Sequence, residues 1–259
     1  MRRLDGVVHV WRMPLSRRLP DDPDPEHLLD PHERRRADRL GDARLRRRYV
    51  HAHATSRLIL GGYLGVPPEE VVWHRGRHGK PALLGRPETK VNLTHSADLA
   101  LLAVTTGREV GVDVERLARP DPDDTPSPVG RLATRFYPPD EASRVGRARG
   151  PARDWWYLRY WTRKEACVKA SGGRLVQGLP VRVAGSHPYG RGLRCRGGTG
   201  LPGPWVVRDL TLGDRHLAAV ALTGTADYRV VMRTWPGLRR FGLDESFPQG
   251  DRHGERAVR

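Results

Sequence analysis

No apolar run in this sequence, uninterrupted by glycine or a polar residue, is longer than six residues, and LALLAV at 99–104 is the cleanest. Six residues of extended chain cover roughly 20 Å, enough for a buried strand, whereas a membrane-crossing helix needs about 20 apolar residues. The core must therefore be assembled from short strands packed against amphipathic helices. Only 37% of the chain is hydrophobic, and 22 prolines with 29 glycines commit much of it to loops. A length of 259 residues allows one large domain or two small ones.

GVVHVWRM (6–13) alternates and is rich in β-branched residues, which predicts a strand. An acidic, arginine-rich helix follows a proline-rich loop. ARLRRRYVHAHATSRLILGGYLG (43–65) predicts a long helix ending at Gly65, with Pro67 and Pro68 just beyond. Short strands follow at 71–76, 90–96, 99–107 and 109–117, and the loop at 118–130 is the natural divide. Helical signals return through RFYPPDEASRV and 151–171, then strands near 181–183, 205–212, 216–224 and 228–235. LALLAVTTG (99–107) and HLAAVALTG (216–224) resemble each other, and each follows a long amphipathic helix. The reading is an α+β fold of two similar α/β halves, a pseudo-twofold pair with the active site in the cleft between them. The boundaries fall at 1–108 and 109–235, with a polar, disordered tail at 236–259.

A formal charge of +16 and a pI near 10.9 call for an acidic partner: nucleic acid, an anionic membrane, an acidic protein or a phosphorylated ligand. Cys167 and Cys195 form no ligand-spaced set, so a reducing compartment fits. The N-terminal apolar run is too short for a secretory signal, and a cytoplasmic protein is expected.

Four segments carry chemistry. In GVDVE (111–115), Asp113 and Glu115 stand two apart on a strand and share a face, a pair that suits Mg2+ but equally a solvated strand surface. In WTRKEACVKA (161–170), Trp161, Lys164, Glu165 and Lys169 fall on one helical stripe, which also reads as a core-facing Trp beside an exposed Glu165–Lys169 ion pair. GRHGKP (76–81) sets His78 and Lys80 in a tight turn, and VNLTHS puts Thr94 and His95 at a strand end. Lysine itself is informative. Of 46 Lys+Arg only Lys80, Lys90, Lys164 and Lys169 are lysine, leaving 42 arginines, so two lysines within WTRKEACVKA mark a place that needs a compact ammonium.

Taken in order, GKP (79–81), NLTHS (92–96), GVDVE (111–115), RFYPPDE (135–141) and WTRKEACVKA (161–170) resemble the motifs of the surfactin-synthetase-type 4'-phosphopantetheinyl transferases. The resemblance spans about residues 45–225. It implies a monomer of two α/β halves, the first binding the nucleotide of coenzyme A and the second supplying the metal and catalytic helix. Phosphopantetheine would pass from coenzyme A to a serine of an acidic apo carrier protein, releasing 3',5'-ADP. By position, Asp113, Glu115 and Glu165 would hold Mg2+, with Mn2+ as a substitute. Lys164 and Lys169 would contact the pyrophosphate, Thr94 would supply a hydroxyl, His95 a contact to a coenzyme phosphate, Lys80 one to the nucleotide end, and Arg57 one to the 3'-phosphate. Glu165 would also act as the base, with Lys169 and Lys164 as its catalytic partners. Arg174 stands in GGRL where the family expects glycine. No nucleic acid or membrane enters this reading. The rivals are a Mg2+-dependent nuclease and a basic nucleic-acid-binding protein. Against them, the Glu165–Lys169 spacing is helical rather than that of a strand-borne nuclease motif, and the arginines form no single dense tail.

Overall fold

The computed structural model describes residues 4–15, 25–76, 79–118, 128–185, 191–198, 200–237 and 256–257. In chain order the first half holds β1 (Val7–Pro14), α1 (Pro31–Asp38), α2 (Ala43–Leu64), β2 (Trp73–Arg75), β3 (Pro81–Leu83), β4 (Thr89–Ser96) and β5 (Leu99–Thr106). The second holds β6 (Val110–Arg116), α3 (Val129–Phe136), α4 (Pro139–Arg147), α5 (Pro151–Ser171) and α6 (Leu175–Gly178). It closes with β7 (Leu193–Cys195), β8 (Trp205–Leu210), β9 (His216–Thr223), β10 (Arg229–Thr234) and β11 (Arg256–Ala257).

The two long helices have clear ends. The Asp42 carboxylate accepts the amides of Arg44 and Leu45 to cap α2, which stops at Gly65 in the left-handed conformation. α5 stops in the same way at Gly172. No helix among the described residues is long and apolar enough to cross a membrane.

Three sheets form, in the orders β11-β10-β1-β5-β4, β6-β9-β8-β7 and β2-β3. A single connection recurs in both halves. A strand leads to a long helix and then to a hairpin whose second strand returns antiparallel to the first: β1, α2, β4, β5 and again β6, α5, β8, β9. The six-residue apolar runs are the second hairpin strands, and their burial explains why they do not alternate. Ala100, Leu102 and Val104 of β5 face α2, while Leu99, Leu101 and Ala103 face a central layer shared with β6 and β9. In β9, Ala219 and Ala221 pack with α5 and Ala218, Val220 and Leu222 join that central layer. A strand covered on both faces reads as continuously apolar.

Three expectations change. Residues 181–183 form no strand. Their backbone is taken by side chains instead, with Val183 N donating to Glu141 Oε1 at 2.5 Å and Val183 O accepting from Arg163 at 2.7 Å. β10 pairs parallel to β1, so the strand at the end of the second half belongs to the sheet of the first. Of the tail, 238–255 lie outside the described residues, and Arg256–Ala257 pairs antiparallel with β10 rather than being disordered.

Candidate active site

The two main sheets meet where β4 runs beside β6, and side chains make the join. Asn92, Thr94 and Ser96 are spaced by two on β4 and share a face. Asn92 Oδ1 accepts the Val112 amide at 2.8 Å, and Thr94 Oγ1 donates to Asp113 Oδ1 at 3.2 Å. Ser96 Oγ donates to Glu115 Oε2 at 2.9 Å and accepts the Arg116 amide at 3.1 Å. This seam fixes both carboxylates of the Asp-x-Glu strand.

Helix α5 closes over the other side. A Cβ at Gly111 would fall inside the backbone of Ala166 and Ala170, so only glycine lets β6 and α5 approach this closely. The approach delivers Lys169, whose ammonium donates to Asp113 Oδ1 at 2.6 Å and to Thr94 Oγ1 at 3.2 Å.

Asp113 is 4% exposed, and its Oδ2 has no hydrogen-bond partner among the described residues. Burial pushes its pKa up to about 6, with Glu115 and Glu165 adding to the rise and Lys169 opposing it. Burial also raises Glu165, again against Lys169 and with Glu115. Three carboxylates thus crowd one ammonium. A buried, half-unpartnered carboxylate among like charges has the donor chemistry that a hard divalent cation satisfies. Among the described residues no three such groups stand preassembled at metal-ligand distances. In their place the Lys169 ammonium supplies the positive charge at Asp113.

His95 lies on the opposite face of β4 from Thr94. It lines a cavity of about 410 Å³ with His32, Tyr49, His53, Trp73 and Arg75. Desolvation lowers the His95 pKa, and the positive neighbours His53, Lys169 and Arg48 lower it further. Tyr49 and His53 stack with ring centroids 4.0 Å apart and form an aromatic ledge in the cavity wall.

The structure therefore brings Thr94, Asp113, Glu115, Glu165 and Lys169 together, with His95 behind them. Three other expected ligand contacts need correction. Arg57 is 1% exposed and its guanidinium is spent on Glu33 and Asp30, both at 2.6 Å, and on the carbonyls of Pro68 and Val71. Burial alone would raise Glu33, but His53 and Arg57 outweigh it and bring the pKa to about 2. Arg57 is thus the tie between α1 and α2 rather than a free phosphate ligand. Lys80 donates to Glu109 at 2.6 Å, Ala170 O at 2.7 Å and Val110 O at 3.3 Å, which exhausts its three donors. Lys164 is fully buried, ion-paired with Glu141 at 2.6 Å, bonded to Val181 O and set under the Tyr137 ring. Its ammonium is sealed from solvent. His78 lies outside the described residues.

Sequence reasoning passed over Asn92, Ser96, Glu109 and Gly111 as working residues. The alternate spacing of 92, 94 and 96 was the available signal for the first two. Glu109 takes both Lys80 and Lys90 at 2.6 Å, and nothing local in the sequence announces it. Arg174 is exposed with φ −104, so its turn needs no glycine there. At the adjacent Gly173 a Cβ would fall 2.3 Å from Leu201 Cδ1, so that side chain would have to shift.

The profile of the 4'-phosphopantetheinyl transferase superfamily matches residues 109–221. The chain is 34% identical over 224 residues to 4'-phosphopantetheinyl transferase HetI of Nostoc sp., covering 85% of this chain and 90% of that protein. It is 29% identical over 186 residues to the putative 4'-phosphopantetheinyl transferase slr0495 of Synechocystis sp., covering 70% and 72%. With the 4'-phosphopantetheinyl transferase of Bacillus subtilis the identity is 24% over 135 residues, covering 49% and 56%. None of these three is described as a nuclease.

Proposed function

This chain belongs to the 4'-phosphopantetheinyl transferase superfamily, and from that premise we propose that it moves phosphopantetheine from coenzyme A to a serine of an acidic apo carrier protein. The observation that carries this reading is the meeting of Lys169 with the buried Asp113 carboxylate at the seam between two sheets. The five ordered motifs, together with two strand–helix–hairpin units in one chain, favour the surfactin-synthetase type, a pseudo-twofold pair acting as a monomer in the cytoplasm.

The serine Oγ attacks the β-phosphorus of coenzyme A. The bond from that phosphorus to the bridging oxygen breaks, and 3',5'-ADP departs. Negative charge grows on the phosphoryl and leaving oxygens, so fixed positive charge aimed at them lowers the barrier. Lys169 provides an ammonium at that place. Glu165, whose carboxyl is held above its ordinary pKa by burial, takes the serine proton. Asp113, Glu115 and Glu165 would hold a divalent cation, Mg2+ or Mn2+, which adds charge neutralisation at the pyrophosphate. Thr94 orients Asp113 and Lys169 by bonding both. The cavity beside His95 suits the nucleotide end, with the Tyr49–His53 stack as a flat apolar wall and His32 and Arg75 as polar lining. In this reading Arg57, Lys80 and Lys164 hold the walls.

The test is intact-mass spectrometry of several apo carrier proteins after incubation with this protein, coenzyme A and Mg2+. The expected result is a gain of one phosphopantetheine on at least one carrier, abolished by a chelator. A panel left unmodified, with cleavage of added nucleic acid, would sink the reading.

A further inference from the structure

The seam between β4 and β6 has a rung beyond those made by Asn92, Thr94 and Ser96. Lys90 of β4 stands with its ammonium 2.6 Å from Glu109 Oε1, just before β6 begins. The other carboxylate oxygen, Glu109 Oε2, accepts from Lys80 Nζ, also at 2.6 Å. Because β4 and β6 belong to different sheets, their register rests on side-chain rungs of this kind.

Lys80 carries the rung on to α5. That helix ends at Ser171, and its last carbonyls have no amide one turn ahead to receive. The Gly172 and Gly173 amides donate back to Lys169 O and Val168 O. The Arg174 amide, four residues past Ala170, donates instead to Gln177 Oε1 at 2.7 Å. Ala170 O is taken by Lys80 Nζ at 2.7 Å. A cation placed there also meets the negative end of the helix dipole. Lys80, just before β3, therefore caps a helix 90 residues away in sequence, and Glu109 balances its charge.

The capped residue is the neighbour of Lys169. The same three elements thus meet twice, once at Lys90, Glu109 and Ala170 and again at Thr94, Asp113 and Lys169. On each strand the two meetings are four residues apart, about 13 Å of extended chain. Two fixed points set a strand's direction as well as its place. The far junction therefore governs how Lys169 approaches Asp113.

We propose that Glu109 and Lys80 are positioning residues for the transfer, a charged brace that holds the last turn of α5 so that Lys169 stays aimed between Thr94 and Asp113. They act through Lys169 and touch neither substrate. This inference rests on the transferase reading. It differs from the contact to the nucleotide end that the family resemblance implied for Lys80, and kinetics separate the two roles. Loss of a ligand contact raises the KM for coenzyme A, whereas a misaimed Lys169 lowers kcat.

The test compares Glu109→Gln and Lys80→Met with the parent in steady-state transfer to whichever apo carrier the parent modifies best. Each variant is expected to lower kcat by about tenfold or more, since misplacing a reacting group by about 1 Å costs on the order of 100-fold. The KM for coenzyme A should stay within about threefold of the parent. In a Lys169→Arg background the same changes should cost clearly less, because the group they aim is already altered. A full additive loss there would mean that they act elsewhere and would overturn the brace. A raised KM for coenzyme A at parental kcat would make Lys80 a ligand contact and equally overturn it. So would parental kcat and KM in the folded variants, with the transferase reading left intact. Glu109 is 40% exposed, so Glu109→Gln keeps the test valid if Lys80→Met folds poorly. A parent that modifies no carrier would contradict the transferase reading itself, and the positioning role with it.

Discussion

Lys169 bonds two oxygens at once, and the other three lysines behave alike: Lys80 and Lys90 converge on Glu109, and Lys164 is sealed against Glu141, each at 2.6 Å. A compact ammonium fits such close, multiply coordinated places better than a planar guanidinium does. That shared geometry is why lysine survives among 42 arginines. Only Lys169 bonds a carboxylate of the Asp-x-Glu strand. Lys169→Arg should keep coenzyme affinity within a few-fold yet lose at least about tenfold in kcat, some 1.4 kcal/mol of barrier, the pattern of a contact made in the transition state. Lys90→Arg, which can keep its ion pair with Glu109, is the control. Parental turnover by Lys169→Arg in a single-turnover assay would mean that position 169 needs positive charge alone.

At the scale of elements, β6 and α5 are positioned by one missing side chain and one buried pair. Gly111→Val would drive a branched side chain into the backbone of α5. It should cost more than about 2 kcal/mol in urea unfolding. An unchanged midpoint would show that the helix yields freely. Lys164 and Glu141 lock α5 to α4 without water access. Removing either partner alone strands a buried charge, at a cost of about 3–5 kcal/mol. Lys164→Met with Glu141→Leu should therefore destabilise less than the sum of the single changes, and strict additivity would deny the coupling. The long helices were legible because their caps and period are local properties: Asp42, Gly65 and Gly172 lie where the pattern stops. The segment at 181–183 was misread because Val-Arg-Val looks like a strand, and only tertiary contacts reveal that Glu141, Arg163 and Lys164 already occupy its backbone.

Across the whole molecule, the repeat of strand, helix and hairpin was visible in the likeness of 99–107 to 216–224, whereas the return of β10 to β1 was not. A parallel pairing across more than 200 residues leaves no local trace in sequence. The proposed catalytic group was legible in residue type. Asp113, Glu115, Glu165 and Lys169 gather at the seam between β6 and α5, while Arg57, Lys80 and Lys164 are equally charged on paper and are bonded into the scaffold. In the proposed function Asp113 is kept ionised in a buried place for activity rather than for stability. Its folded pKa of about 6 is above the model-peptide carboxylate range, so its contribution to stability is present below the unfolded pKa and lost as pH rises through about 6. At pH 7.5 the charged form therefore burdens the fold. The most direct test measures carrier modification by intact mass and melting temperature on the same sample of Asp113→Asn at that pH. Transfer is expected to fall by at least about a thousandfold, the scale of losing a principal catalytic charge, with a melting temperature no lower than the parent's. A variant that melts lower and still transfers at the parental rate would contradict it.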